Sequence, residues 1–277
     1  MIAVTGPTGN VGRALVERLV AAGRPVRALT RDPARARLPA GVETVRLDPD
    51  APAALFEGVT ELFLYVQAGG DRTPRLLDAA RAAGVRHVVL LSSGIIDSGA
   101  DESHPIHVMH ATAEQQIRDS GLTWTFLRPN AFATNAFQWA PQIRSGDTVR
   151  GVFADGETAP IHEDDIAAVA ERALLDDGHE GTAHRLTGPE AITNAGQVAA
   201  IGRALGRELG FTEVSPDKAA AELFPHVPPE MLQALLKSFA ATVGVPPEIT
   251  GTVREITGRP ARPFAVWAED HADDFKG

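Results

Sequence analysis

Cysteine is absent from all 277 residues, which excludes disulfides, thiolate nucleophiles and zinc–thiolate sites together. No run approaches the ~20 apolar residues of a membrane-spanning helix, so no membrane partner is expected. Acidic side chains outnumber basic ones by 36 to 26, for a net charge of −10. That is the wrong sign for following a phosphate backbone, and with no dense basic run, direct nucleic-acid binding is not expected. Tyrosine occurs once, at Tyr65, and lysine only at Lys218, Lys237 and Lys276. Met1 leads at once into an apolar run, so no signal or transit peptide is expected. These absences predict a soluble cytoplasmic protein with small-molecule ligands.

What is present begins at residue 2. The β-branched and apolar run Ile2–Val4 breaks into Gly6, Gly9 and Gly12. From Asn10, apolar residues recur three or four apart at Val11, Ala14, Leu15, Leu19 and Val20. Strand, glycine turn and helix form the context in which this spacing predicts dinucleotide binding. Gly6 lets the chain leave the strand sharply, Gly9 lets the backbone approach a ligand, and Gly12 lets the helix lie close to the sheet. The first-turn amides lack carbonyl partners and sit at the positive end of the helix, which favours a pyrophosphate.

The length suits one large α/β domain or a nucleotide-binding core with a smaller lobe. Strands are predicted at 25–30, 43–47, 62–66, 87–91 and 123–127, with helices at 51–57, 72–83 and 106–120 between them. This alternation predicts right-handed crossovers and a doubly wound parallel sheet of Rossmann type. The core is expected over 1–150, with return segments at about 160–187. Residues 188–277 should form a small, mostly helical lobe interwoven with it, and a cleft between the two should receive the substrate.

Arg31 lies at the end of the second strand, where such a fold meets the adenosine ribose. A guanidinium there suits a 2′-phosphate and favours NADPH over NADH; a solvated surface arginine is the plain alternative. Asp32 precedes Pro33 and reads as a helix N-cap. Asp48 could accept from the adenine amino group or cap the helix that follows. Tyr65, Val66 and Gln67, ending the fourth strand, should pass close to the nicotinamide-side ribose. Ser92 and Ser93 end the fifth strand, where a hydroxyl can face the substrate or simply serve a loop. On the next helix His107, His110 and Glu114 share a face. Their spacing matches no standard metal site. His110 reads either as part of a structural cluster or as a cofactor-ribose contact and proton donor. His162-Glu-Asp-Asp165 should begin a helix, its carboxylates near the positive end.

These residues resemble a known family, the NmrA-like atypical short-chain dehydrogenases, and within it the quinone-oxidoreductase-like NAD(P)H-binding branch. The matching pieces are Thr5-Gly-Pro-Thr-Gly-Asn-Val-Gly12, Thr30-Arg-Asp-Pro33, Ser92-Ser-Gly94, and the stretch from His110 through Glu114 to Ser120-Gly-Leu-Thr-Trp-Thr-Phe-Leu-Arg-Pro129. Phe132-Ala-Thr-Asn135, His162-Glu-Asp-Asp-Ile166 and Arg259-Pro-Ala-Arg-Pro-Phe264 also fit. The resemblance implies a Rossmann core, NADPH in the glycine-loop cleft, and a substrate pocket bordered by Asn130 and Asn135. The wider superfamily uses a Tyr-x-x-x-Lys pair to protonate a carbonyl oxygen. Here Tyr65 has no lysine four residues on, and His110 falls where the family's helix would carry the lysine.

The sequence therefore predicts an NADPH-dependent reductase of quinone-like or other electron-poor acceptors. Gly6, Thr8, Gly9, Asn10 and Val11 would cradle the pyrophosphate, and Arg31 would hold the 2′-phosphate. Tyr65, Val66, Gln67, Ser92 and His110 would shape the nicotinamide side, with Ser93 toward the substrate. The alternative is a non-catalytic redox sensor in which NADP occupancy alters binding to a protein partner. An epimerase would need the absent tyrosine.

Overall fold

The computed structural model describes residues 1–99 and 101–276. Along the chain, β1 (Ile2–Thr5), α1 (Asn10–Ala21), β2 (Val26–Thr30), β3 (Glu43–Arg46), β4 (Glu61–Tyr65), α2 (Thr73–Ala82), β5 (His87–Leu91), α3 (Pro105–Asp119) and β6 (Thr123–Pro129) come first. There follow β7 (Ala131–Phe132), α4 (Ala140–Ser145), β8 (Thr148–Gly151), β9 (Glu157–Thr158) and β10 (Pro160–Ile161). The chain continues through α5 (Glu163–Leu175), β11 (Thr182–Leu186), β12 (Ile192–Thr193), α6 (Asn194–Ala204) and β13 (Gly210–Glu213). It closes with α7 (Pro216–Glu222), α8 (Pro229–Ala240), α9 (Thr252–Thr257) and α10 (Phe264–Asp270).

Seven strands form one parallel sheet in the order β11-β6-β5-β4-β1-β2-β3. The order reverses between β1 and β4, and the crevice above such a reversal is where open α/β sheets bind ligands. β1, β2 and β5 are buried along their whole length, as expected of strands covered on both faces. α2 and α3 pack against each other, and α1 packs on α5. Arg18 on α1 donates to Glu171 on α5 at 2.8 Å. This is the Rossmann-type α/β fold with a helical C-terminal part.

The chain clusters into two compact units. The first holds Met1–Pro129, Glu163–Leu186 and Thr252–Arg259; the second holds Asn130–His162, Thr187–Gly251 and Pro260–Gly277. The boundary falls at Pro129, where β6 ends, and not near residue 150. α9 packs on α5 and β11, returning a segment expected in the lobe to the first unit. The second unit has its own core, in which Trp267, Phe264 and Phe275 pack with Trp139, Ile143, Val149 and Ile201. There β13 pairs in parallel with β8, and β10 with β7.

Some helices are shorter than expected. The helix expected over 51–57 is a 3-10 turn, Pro52–Phe56, bounded by Gly58 at φ 70°. Near the C-terminus α8 stops at Ala240, and α10 is followed by a separate 3-10 turn, Ala272–Phe275.

Candidate functional site

The site grows from the end of β1. Its ladder with β4 is last in register at Val4 opposite Phe63. Beyond it the Thr5 hydroxyl takes over, donating to the Phe63 carbonyl at 3.1 Å and accepting from the Tyr65 amide at 2.7 Å. One side chain thus ties two backbones that are separating. Gly6 then turns with φ 63°, a left-handed conformation that side chains disfavour. The Tyr65 ring lies beside it: a Cβ built on Gly6 would stand 3.4 Å from the Tyr65 Cβ.

The other two glycines divide the work differently than the sequence suggests. A Cβ on Gly12 would stand 2.1 Å from the Gly6 carbonyl oxygen. Gly12 therefore lets the helix seat on its own entry turn, and not on the sheet. A Cβ on Gly9 would meet only the Gly6 oxygen, at 3.5 Å, so the space over Gly9 is open. The Gly9 amide donates to the Gly6 carbonyl at 3.1 Å, and the Arg13 amide to the Gly9 carbonyl at 2.8 Å. No side chain caps α1, and its first turn holds no acidic residue. Thr8, Gly9 and Asn10 are exposed, while Val11 and Gly12 are buried. An uncapped, positive helix end under open space fits a pyrophosphate.

Arg31, just past β2, is exposed and has no hydrogen bond or ion pair among the described residues. Asp32 occupies the N-cap position before Pro33, but its carboxylate takes no amide hydrogen bond. Asp48 is exposed and closes a turn of its own: its carboxylate accepts from the Asp50 amide at 3.0 Å, and its carbonyl from Ala51 at 3.2 Å. It does not cap a helix, because the 3-10 turn starts only at Pro52. Tyr65 is 38 % exposed, Val66 is buried, and Gln67 is exposed and points its amide at the Met109 sulfur on α3, 4.0 Å away.

Ser92 does not face open space. It is buried, and its hydroxyl donates to Glu114 at 2.7 Å. Glu114, 1 % exposed, also receives Arg128 Nε at 2.9 Å, Arg128 Nη2 at 2.5 Å and Arg118 at 3.0 Å. Arg128 Nη1 in turn reaches both oxygens of Asp97 at 2.7 Å. Burial works against the Arg128 charge, but the hydrogen bonds and charges of Glu114 and Asp97 outweigh it and hold the guanidinium above its usual value. The sequence reasoning missed this network. Its signal was an arginine in the strand Thr123–Pro129, which is buried from Thr125 onward. Ser93 instead caps the turn Gly94–Asp97, accepting from the Ile95 amide at 3.3 Å.

His110 is buried beside Glu114, and its Nδ1 has no hydrogen-bond partner among the described residues. Burial pushes its pKa down to about 4, with the Glu114 charge only partly opposing. At neutral pH the ring is therefore uncharged. An orphaned buried ring nitrogen on the helix flanking the β4 and β5 ends also fits a bound group that would complete it. His107 is half-buried one turn earlier. Asn130 and Asn135 belong to the second unit, the former half-buried and the latter exposed in the 3-10 turn Ala133–Trp139.

A family described as NAD(P)H-binding matches residues 6–177. The chain is 43 % identical over 281 residues to a (4-alkanoyl-5-oxo-2,5-dihydrofuran-3-yl)methyl phosphate reductase of Streptomyces griseus, covering 99 % of each. It is 36 % identical to an NAD(P)H azoreductase of Xenophilus azovorans, again covering 99 % of each. The NADPH-dependent quinone oxidoreductase of Escherichia coli, solved with NADPH, superposes with a TM-score of 0.80 at 27 % identity, over 98 % of this chain and 99 % of that one. No helix among the described residues is long and apolar enough to cross a membrane. The chain belongs to the NAD(P)H-binding family, has a quinone oxidoreductase among its relatives, and is an NAD(P)H-dependent reductase.

Proposed function

We propose that this reductase uses NADPH to reduce electron-poor, conjugated acceptors of the quinone kind, without a tyrosine–lysine pair. The observation that carries the reading is His110. It stands where a lysine would, yet it is buried, uncharged at neutral pH and unpaired at Nδ1. Such a ring holds a hydroxyl by a hydrogen bond but does not supply the positive charge that would lower a phenol's pKa.

The backbone of Gly6, Thr8, Gly9, Asn10 and Val11 binds the pyrophosphate. Arg31 pairs with the 2′-phosphate and Asp48 with the adenine. Tyr65, Val66 and Gln67 line the nicotinamide side, His110 meets the ribose, and Ser92 acts indirectly by holding Glu114. Ser93, Asn130 and Asn135 border the acceptor. When bound, the cofactor supplies a hydride. General acid catalysis is typically worth ~10²–10⁴ in rate, so a simple ketone suffers from its absence. A quinone does not, because the oxygen left after hydride addition is a weak base that takes its proton from water. What remains is positioning. The relatives' names support this class, since an oxo-dihydrofuran bearing an alkanoyl group, an azo compound and a quinone are all electron-poor π systems.

The test is NADPH oxidation with a panel of quinones, azo dyes and unsaturated lactones, using cofactor deuterated at C4. Turnover of at least one acceptor above the protein-free rate, slowed by the deuterium as hydride transfer requires, is expected. NADPH binding with no turnover across the panel would refute the enzyme reading and leave a redox sensor.

A further inference from the structure

Around the end of β2 the first unit gathers guanidinium groups that no carboxylate of the protein answers. Arg13, Arg31, Arg35 and Arg37 are exposed, and none has an ion pair among the described residues. Yet acids outnumber bases 36 to 26 in the whole chain, so a lack of carboxylates does not explain it. Of these arginines, Arg13 is the one the fold holds in position. β1 and β2 run side by side as far as Thr5 opposite Leu29. The glycine turn and α1 therefore leave the same edge of the sheet as the loop after Thr30. Arg13 closes the first turn of α1, its amide donating to the Gly9 carbonyl at 2.8 Å. From there its Nη1 donates to the Arg37 carbonyl at 3.2 Å, across 24 residues of sequence.

On the reading that Arg31 pairs with the cofactor's 2′-phosphate, we propose that Arg13 is that phosphate's second ligand, reaching it from the α1 side. Charge balance asks for a second cation. A phosphomonoester carries about −1.5 to −2 near neutral pH. Asp32, also exposed and without an ion pair among the described residues, stands next to Arg31. Arg31 and Asp32 together offer the phosphate no net charge; Arg13 supplies the excess. Geometry favours Arg13 over its neighbours. A guanidinium has five N–H donors, and the Arg37 carbonyl takes one, which leaves an edge of the planar fork open for two phosphate oxygens. The tether also fixes a long side chain before the ligand arrives, so less rotamer freedom is lost on binding. The side chains of Arg35 and Arg37 make no hydrogen bond among the described residues and have no such tether. A cofactor lacking the 2′-phosphate gains nothing from Arg13, so the residue acts on the choice between NADPH and NADH. Sequence spacing could not announce it, because an arginine after the glycine motif reads as the solvent face of a helix.

The test is calorimetric titration of the full-length protein with NADPH and NADH at one ionic strength. Arg13→Ala should weaken NADPH at least fivefold and NADH less than twofold. Its ligand-free melting should stay near wild type, since the side chain is exposed. Arg24→Ala removes the same charge beyond the other end of α1, about 18 Å along the helix, and should leave both affinities within twofold. Arg31→Ala, run alongside, reads the underlying assignment. If it abolishes the preference for NADPH while Arg13→Ala binds NADPH within twofold of wild type, the proposal is overturned and the reading of Arg31 stands. Equal losses for both cofactors in Arg13→Ala would move its effect to the shared pyrophosphate or to the helix. A matching loss in Arg24→Ala would reveal a diffuse field in place of a contact. Either result overturns the proposal. A wild type that binds NADH as tightly as NADPH overturns the reading of Arg31 and the role of Arg13 together.

Discussion

Gly9→Ala and Gly12→Ala place the same methyl group three residues apart, and the structure predicts opposite results. At Gly12 the new Cβ would lie 2.1 Å from the Gly6 carbonyl oxygen and 2.8 Å from its carbon. Backbone cannot swing aside as a side chain can, so the helix start must retreat by about 1 Å; overpacking of this kind typically costs ~1–3 kcal/mol. At Gly9 the nearest atom is 3.5 Å away and φ is −80°, so alanine fits without strain. Alanine is merely a poorer N-cap than glycine, which costs under ~1 kcal/mol and shifts Tm by less than about 4 °C. If the diphosphate lies over Gly9, however, the methyl occupies its space. The same ~1–3 kcal/mol then appears as a roughly 5- to 150-fold weaker Kd for NADPH. Thermal melts without ligand and calorimetric titration with NADPH read the two effects separately. Gly9→Ala binding NADPH as tightly as wild type would refute the reasoning, as would Gly12→Ala melting unchanged.

Three further outcomes are expected. Arg31→Ala should weaken NADPH by about 1.5–3 kcal/mol, the worth of a hydrogen bond to a charged group, and leave NADH nearly unchanged; equal losses for both would remove Arg31 from the 2′-phosphate. Glu114→Gln leaves the Arg128 charge without its buried partner and should lower unfolding stability by ~3–5 kcal/mol in denaturant titrations, whereas a change below ~1 kcal/mol would show the network to be slack. His110, at about 4 in the fold against ~6.5 unfolded, stays neutral while the unfolded chain takes up a proton. Its burial therefore costs stability progressively as pH falls from about 6.5 to 4, approaching ~3 kcal/mol. His110→Gln should flatten that part of the stability–pH curve, and an unaltered slope would contradict the burial argument.

The sheet was legible because period and punctuation agreed. Apolar runs such as the Val88–Leu91 stretch of β5, between amphipathic helices, admit few other readings. The glycine loop was legible for the same reason, but the partner of each glycine was not. That Gly12 meets the Gly6 carbonyl is a fact of the turn's three-dimensional path. The exposure of Arg31 at the end of β2 could be read from position alone. Ser92 could not, because its partner Glu114 is 22 residues away on α3 and Arg128 is 14 further on. A serine at a strand end looks alike whether it faces a ligand or a buried carboxylate. The return of α9 to the first unit was hidden for a similar reason: six residues carry too little periodicity to show which core they join.

The most direct measurement of the central claim is kcat/KM for one quinone and one simple ketone, each with NADPH at the same pH. Without a phenol and ammonium beside the reacting oxygen, the quinone should be preferred by at least the ~10²–10⁴ that a general acid supplies. Comparable values for the two, or ready oxidation of a simple secondary alcohol by NADP⁺, would contradict it.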